Sequence, residues 1–116
     1  MESPAESITV TALPRVVDGL TAARLKKTFR SHVDSGRFLH VVDMLDVELL
    51  DSTGLGALIA SMRSVREVGG TVRLVVVDPQ ILKILHLTGL DKVFSIHATI
   101  DGARERFAQA TVRNSA

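Results

Sequence analysis

Residues 50–56 have the sequence Leu-Asp-Ser-Thr-Gly-Leu-Gly and follow a short apolar stretch, residues 47–50. They open a helix that we predict from about Thr53 to Val68, because apolar residues then recur at helical spacing. Glycine near the start of a helix costs about 1 kcal/mol relative to alanine. The helix must therefore either pack closely on a sheet here or leave its surface open to another molecule.

Strands and helices alternate on both sides of this segment. Strands are predicted at residues 8–13, 38–44, 72–77 and 93–96. The remaining helices carry these apolar residues on one face: Ala22, Leu25, Phe29 and Val33; Ile81, Ile84 and Leu85; Ile100, Ala103, Phe107 and Ala110. Their predicted N-terminal caps are Thr21, Asp78 and Thr99. This order predicts an α/β fold with a mostly parallel sheet of four to five strands and about four helices.

Length and composition favour one compact regulatory or binding domain. The 116 residues suit a single domain, which we place at residues 8–110, with residues 1–7 and 111–116 as flexible termini. The net charge of +1 and the 3% aromatic content give no reason to expect nucleic acid or a membrane as a partner. There is no cysteine and no signal-peptide pattern, so a cytoplasmic location is expected.

Ser52 lies at the turn from strand to helix, where parallel sheets usually meet their ligands. Asp51 or Ser52 could also serve simply as the cap of the helix. The segment lacks the Lys-Ser/Thr ending of a phosphate-binding loop and the flanking glycines of a serine-hydrolase elbow. The four histidines have no paired spacing, so no metal site and no cofactor are expected.

Three aspartates could approach one another at strand ends, namely Asp18, Asp43 and Asp51. Such a cluster invites comparison with the receiver domain of response regulators. The sequence lacks the adjacent acidic pair, the lysine and the fifth strand–helix unit of that fold, so we disfavour this interpretation.

Several separate motifs, in order along the chain, resemble STAS domains, and specifically the free-standing bacterial anti-sigma factor antagonists. The motifs are Val-Val-Asp-Met at 41–44, the segment 50–56, and the stretches 70–75, 81–85 and 88–94. The resemblance extends over roughly residues 8–107. It implies the STAS fold and a protein that catalyses no reaction itself.

The resemblance also implies a partner switch. In that family the unphosphorylated antagonist binds an anti-sigma factor that is also a serine kinase, and this frees a sigma factor. The kinase then phosphorylates the serine of the motif, here Ser52, and a phosphatase resets the protein. Asp18, Asp51, Thr53 and Gly54 match positions expected to contact the partner. Thr53 is also a possible alternative phosphoacceptor.

The chain departs from the family pattern at Pro14-Arg15, where small residues are usual, and the family's first strand before Ile8 is short or missing. These differences lie beside the expected partner surface and bear on which partner is bound. Two alternatives stay open: a STAS scaffold or sensor subunit of a larger assembly, and an enzyme or ligand-binding protein on an α/β fold.

Overall fold

A computed structural model describes the backbone of residues 8–115 and the side chains of residues 8–107. The strands are β1 (Ile8–Ala12), β2 (Val16–Val17), β3 (Leu39–Asp43), β4 (Leu49–Leu50), β5 (Thr71–Val75) and β6 (Ser95–His97). The helices are α1 (Gly19–Asp34), α2 (Ser52–Glu67), α3 (Pro79–Leu87), α4 (Leu90–Val93) and α5 (Ile100–Ser115).

The main sheet has the strand order β1-β3-β5-β6, and every neighbouring pair is parallel. Successive side chains of a strand point to opposite faces, and both faces are covered. On one face Phe29, Leu58 and Leu74 belong to a core to which α1 and α2 contribute. On the other, Val41 and Phe107 belong to a smaller core that α5 covers. The predicted α/β class and mostly parallel sheet are confirmed.

A second, two-stranded sheet joins β2 to β4, and its strands are also parallel, with Val17 opposite Leu50. No strand was predicted at residues 16 and 17, so the structure adds β2 to the predicted elements. A two-residue strand is too short to show the alternation by which strands are recognised in sequence. The small sheet positions the starts of α1 and α2, because each helix begins two residues after the end of one of its strands.

Two of the three predicted caps are confirmed. The Asp78 carboxylate accepts hydrogen bonds from the backbone N–H groups of Gln80 and Ile81, and the Thr99 hydroxyl accepts one from Gly102. The prediction for α1 was wrong: its cap is Asp18, whose carboxylate accepts a hydrogen bond from the Thr21 backbone N–H. Thr21 is therefore the donor to the cap, one turn further along the helix.

The predicted strand at residues 93–96 is also corrected. Val93 ends the one-turn helix α4, which raises the number of helices to five, and β6 begins only at Ser95. Gly89, with a φ of 75°, precedes that turn, and the Phe94 N–H donates to the carbonyl of Leu90. A short apolar run does not distinguish a helical turn from a strand by periodicity.

The predictions for the chain ends stay predictions. Residues 1–7, including any strand before Ile8, lie outside the described residues. The backbone of α5 extends to Ser115, but the side chains of residues 108–116, among them Ala110, lie outside the described part.

His40 is a fully buried titratable residue on β3. Its Nε2 lies 2.7 Å from the carbonyl oxygen of Arg37, and its Nδ1 has no hydrogen-bond partner among the described residues. The rings of Phe29 and His32 lie 5.7 and 5.9 Å away, measured between centroids. Burial lowers the pKa of His40, the hydrogen bond to Arg37 opposes that effect, and the charge of His32 adds to it.

We expect the free energy of unfolding to decrease as the pH falls from about 7 to about 5.5. The unfolded chain binds a proton at His40 with an ordinary pKa of about 6.5, whereas the folded protein resists that proton, so acid favours unfolding. Burial lowers the pKa of His97 too, and this acts in the same direction. Urea unfolding at several pH values should show a weaker pH dependence in His40→Gln than in a control variant, His86→Gln. Equal pH dependence in the two variants would contradict this assignment.

Candidate functional site: two adjacent helix starts

The predicted site residues come together where the small sheet ends and two helices begin. We call this region the paired helix start. It consists of Asp18, Gly19, Asp51, Ser52, Thr53 and Gly54. The parallel register of Val17 with Leu50 places Asp18 and Asp51 at equivalent positions, one residue beyond each strand. The sequence predicted that Asp18 and Asp51 could approach each other at strand ends, but it did not predict their equivalent positions, because these depend on strand β2.

Each aspartate of the paired helix start caps its own helix. The Asp18 carboxylate accepts from the Thr21 N–H at 3.0 Å, and the Asp51 carboxylate accepts from the Gly54 N–H at 2.6 Å. The hydrogen bond from the Thr21 backbone is the main cause that lowers the pKa of Asp18 below its ordinary value. Asp18 is therefore ionised at neutral pH, and it contributes a negative charge to this surface.

Gly54 is where α2 makes close contact with β2. A Cβ atom added to Gly54 would overlap the carbonyl oxygen of Val17 and lie 2.7 Å from its carbonyl carbon. The backbone N–H of Asp51 donates to the same Val17 oxygen at 3.3 Å. The bare backbone at Gly54 thus allows the start of α2 to lie against the small sheet.

Gly56 has a different environment, although the sequence offered the same two explanations for both glycines. A Cβ added there would meet no atom within 4 Å. Residues four apart lie on the same face of a helix, so Gly56 is the surface neighbour of Ser52 on α2. Close packing explains Gly54, and an open surface beside Ser52 is the remaining explanation for Gly56.

Ser52 is the first residue of α2, and its side chain is exposed. Within the described residues its hydroxyl forms no hydrogen bond, because Asp51 provides the cap. The choice between Asp51 and Ser52 as the capping residue is therefore settled in favour of Asp51. Thr53 is also exposed, and a Cβ added at Gly19 of α1 would lie 3.1 Å from its Cγ2.

A helix start is a favourable environment for a negatively charged group. The first backbone N–H groups have no partner inside the helix, and the helix dipole is positive at this end. Here two such helix starts lie side by side. The Ser52 hydroxyl at one of them forms no hydrogen bond within the described residues. The arrangement is suited to carrying a phosphoryl group on Ser52, while the two capping carboxylates add negative charge around it.

Two large apolar side chains next to the paired helix start are exposed: Leu20 to 67% and Leu49 to 63%. Leu20 follows Asp18 on α1, and Leu49 precedes Asp51 on β4. Sequence analysis missed both, although Leu20 stands outside the apolar stripe of α1 and could have been noticed for that reason. Each lies two residues from a capping aspartate, so the exposed surface at the paired helix start has apolar as well as acidic side chains.

Pro14 and Arg15, the departures from the family pattern, lie close to this surface. The backbone carbonyl of Arg15 accepts hydrogen bonds from the N–H groups of Glu48 and Leu49, at 2.8 and 3.1 Å. The Arg15 side chain forms an exposed ion pair of 3.0 Å with Glu48. An exposed pair contributes little to stability, so both side chains are available to a partner.

The other candidate residues are not part of the paired helix start. Asp43 ends β3, where its carboxylate accepts a hydrogen bond from the Leu45 N–H. Among residues 8–107, no three histidine, aspartate or glutamate side chains are grouped so as to hold a metal ion. No helix in the described part of the chain is both long and apolar enough to cross a membrane.

Comparison with known proteins agrees with this architecture. The family model described as STAS domain matches residues 5–103. A Thermotoga neapolitana protein named as a homolog of TM1081 is 32% identical over 80 residues, which are 69% of this chain and 71% of the relative. The anti-sigma-B factor antagonist of Bacillus subtilis is 27% identical over 86 residues, covering 74% of this chain and 78% of that protein.

A solved structure gives the same result. The crystal structure of an anti-sigma factor antagonist from Mycobacterium paratuberculosis superimposes with a TM-score of 0.73 and 31% identity, over 84% of this chain and 83% of that one. The match of the family model covers most of the chain and includes the whole paired helix start. This chain belongs to the STAS domain family.

Proposed function

We propose that this chain is an anti-sigma factor antagonist whose binding to its partner is switched off by phosphorylation of Ser52. The partner is an anti-sigma factor with serine kinase activity, and its capture in the cytoplasm releases a sigma factor. The chain itself catalyses no reaction. The observation that carries the proposal is the exposed Ser52 hydroxyl, which is not used by the cap of α2.

The covalent step transfers the γ-phosphoryl group of ATP to the Ser52 oxygen. The bond between that phosphorus and the β–γ bridging oxygen breaks, ADP leaves, and the hydroxyl proton passes to the kinase or to solvent. A phosphoserine phosphatase then hydrolyses the new ester with water and restores the hydroxyl. Neither step needs a cofactor on this chain.

The charge change explains how phosphorylation ends binding. A phosphoryl group adds about −1.5 to −2 charge at neutral pH. It would stand next to the carboxylates of Asp51 and Asp18, while the dipoles of α1 and α2 offset part of the repulsion within the chain. We therefore expect the helix to stay folded and the effect to fall on the partner, whose contact surface meets a concentrated negative charge.

The unphosphorylated surface suits a protein partner. Leu20 and Leu49 are exposed apolar residues, each two positions from a capping aspartate, and Gly56 leaves the backbone of α2 accessible beside Ser52. The chain has a net charge of +1 and no Trp or Tyr, which favours neither nucleic acid nor a membrane as the partner.

A Gly56→Ala variant separates folding from binding. We expect its free energy of unfolding to be unchanged or higher by up to about 1 kcal/mol, because alanine favours the helix and meets no atom. Affinity for the partner should fall about fivefold or more, since a new methyl group would overpack a closely fitted interface. Isothermal titration calorimetry measures this, with Ser64→Ala, an exposed position further along α2, as the control. Unchanged affinity would place Gly56 outside the interface.

Phosphosite mapping tests the proposal itself. The protein is incubated with ATP and a lysate of its own cells, in parallel with Ser52→Ala and Thr53→Ala, and then analysed by mass spectrometry. We expect phosphate on Ser52 in the wild-type protein and in Thr53→Ala, and none in Ser52→Ala. Capture of a partner without any modification would overturn the switch and favour the scaffold or sensor alternative.

A further inference from the structure

Arg73 is a charged residue in the middle of the main sheet. It lies on β5, opposite Val41 of β3 and Ser95 of β6. Its neighbours Val72 and Leu74 point into the core of α1 and α2, so Arg73 points to the other face, which α5 covers. The side chain is half-buried, and its Nε is buried without a hydrogen-bond partner among the described residues.

Two further basic groups surround Arg73. One of its Nη1–H groups donates to the Nε2 of His97 on β6, at 3.3 Å. Arg106 on α5 is exposed, and it is close enough for its charge to lower the pKa of both Arg73 and His97, although burial is the larger cause for each. The Arg73 guanidinium also stacks over the Phe107 ring, 4.8 Å from its centroid.

No carboxylate in the described part of the chain forms an ion pair with this cluster. Within residues 8–107, the ion pairs join Arg15 to Glu48 and His86 to Asp91, and neither Arg73 nor Arg106 pairs with a carboxylate. Like charges held together on a half-buried surface repel each other, and they favour a bound anion. A guanidinium has five N–H donors, and Arg73 directs only one of them to His97.

We propose that Arg73, His97 and Arg106 form a binding site for a phosphate-type oxyanion. The site lies on the face of the main sheet opposite α1 and α2, so it is separate from Ser52. The oxygens would accept hydrogen bonds from the remaining Nη–H groups of Arg73 and from Arg106, since guanidinium groups match the geometry of phosphate. A bound anion next to His97 favours the protonated form of its ring, so binding should raise the pKa of His97.

Inorganic phosphate is the probe that tests this site. It is titrated into the whole protein at constant ionic strength, with chloride as the compensating salt, and followed by NMR. We expect saturable shifts of the Arg73, Ser95 and His97 amides and a higher pKa of His97 in the bound state. If the cluster served only to stabilise the fold, added phosphate would leave the pKa of His97 unchanged. A parallel titration with methyl phosphate shows whether the site accepts a phosphate ester or only the free ion.

Variants locate the binding. Arg73→Met and Arg106→Gln should each weaken phosphate binding about tenfold, because each removes a charged donor. Arg104→Gln makes the same charge change two residues away on α5 and should leave binding unaltered. If Arg73→Met fails to fold, the exposed Arg106→Gln and the His97→Gln variant decide the question. Absence of saturable shifts, or equal affinity in Arg106→Gln and Arg104→Gln, would overturn the proposal.

Discussion

Gly54→Ala should lower the free energy of unfolding by about 3 kcal/mol, which is the upper range for overpacking a tightly packed position. The new methyl group would overlap the carbonyl group of Val17, which belongs to the backbone of β2 and cannot turn aside as a side chain can. The start of α2 would have to move away from the small sheet. That movement breaks the hydrogen bond from Asp51 to Val17 and disturbs the Asp51 cap.

Gly56→Ala is the matched control, because it makes the same chemical change two residues further along the same helix. Nothing lies within 4 Å of its added Cβ. Urea unfolding followed by far-ultraviolet circular dichroism measures both variants. Similar stabilities for the two would show that α2 does not depend on its close contact with Val17, and would contradict the packing described here.

Ser52→Asp should weaken binding to the anti-sigma partner about 30-fold or more, because it places an unpaired charge in the contact surface. The same variant should unfold with a free energy within about 1 kcal/mol of the wild-type value. An acidic residue in the first turn is favoured by the helix dipole, and this offsets repulsion from Asp51 and Asp18. A loss of affinity in Ser52→Asp would therefore come from a weakened contact with the partner and not from a less stable fold.

Ser64→Asp controls for charge alone. Ser64 is exposed on α2, twelve residues beyond Ser52 and hence about 18 Å along the helix axis. Surface plasmon resonance with the immobilised partner compares the two variants. We expect Ser64→Asp to bind like the wild-type protein. If Ser52→Asp and Ser64→Asp lost affinity equally, the loss would be explained by a general electrostatic effect and not by a specific role of Ser52.

The long elements of the fold were predictable from sequence, and the short ones were not. Helix α2 shows helical periodicity, and β3 and β5 lie in apolar runs of six or seven residues, so these elements were located to within about two residues. Strand β2 has two residues and shows none. Val93 belonged to an apolar run that suits either a strand or a helical turn. For α1, the cap was predicted at Thr21, whereas Asp18, three residues earlier, provides it.

The site was predictable in its residues but not in its geometry. Ser52 and Asp51 are adjacent in sequence, and Asp18 was named both as an aspartate near a strand end and through the family resemblance. Its place beside Asp51 depends on the pairing of β2 with β4, a contact between distant segments that no local pattern encodes. Likewise, the sequence gave the same two explanations for Gly54 and Gly56. Only the structure shows that Gly54 packs against the Val17 carbonyl group while Gly56 has open space around it.

The most direct test uses a reconstituted complex of this chain with its purified anti-sigma kinase. Size-exclusion chromatography with light scattering gives the mass of the complex before and after ATP is added, and mass spectrometry gives the phosphate on Ser52. We predict that the wild-type complex dissociates in proportion to Ser52 phosphorylation, while the Ser52→Ala complex stays intact with ATP. A wild-type complex that persists with Ser52 fully phosphorylated would contradict the account.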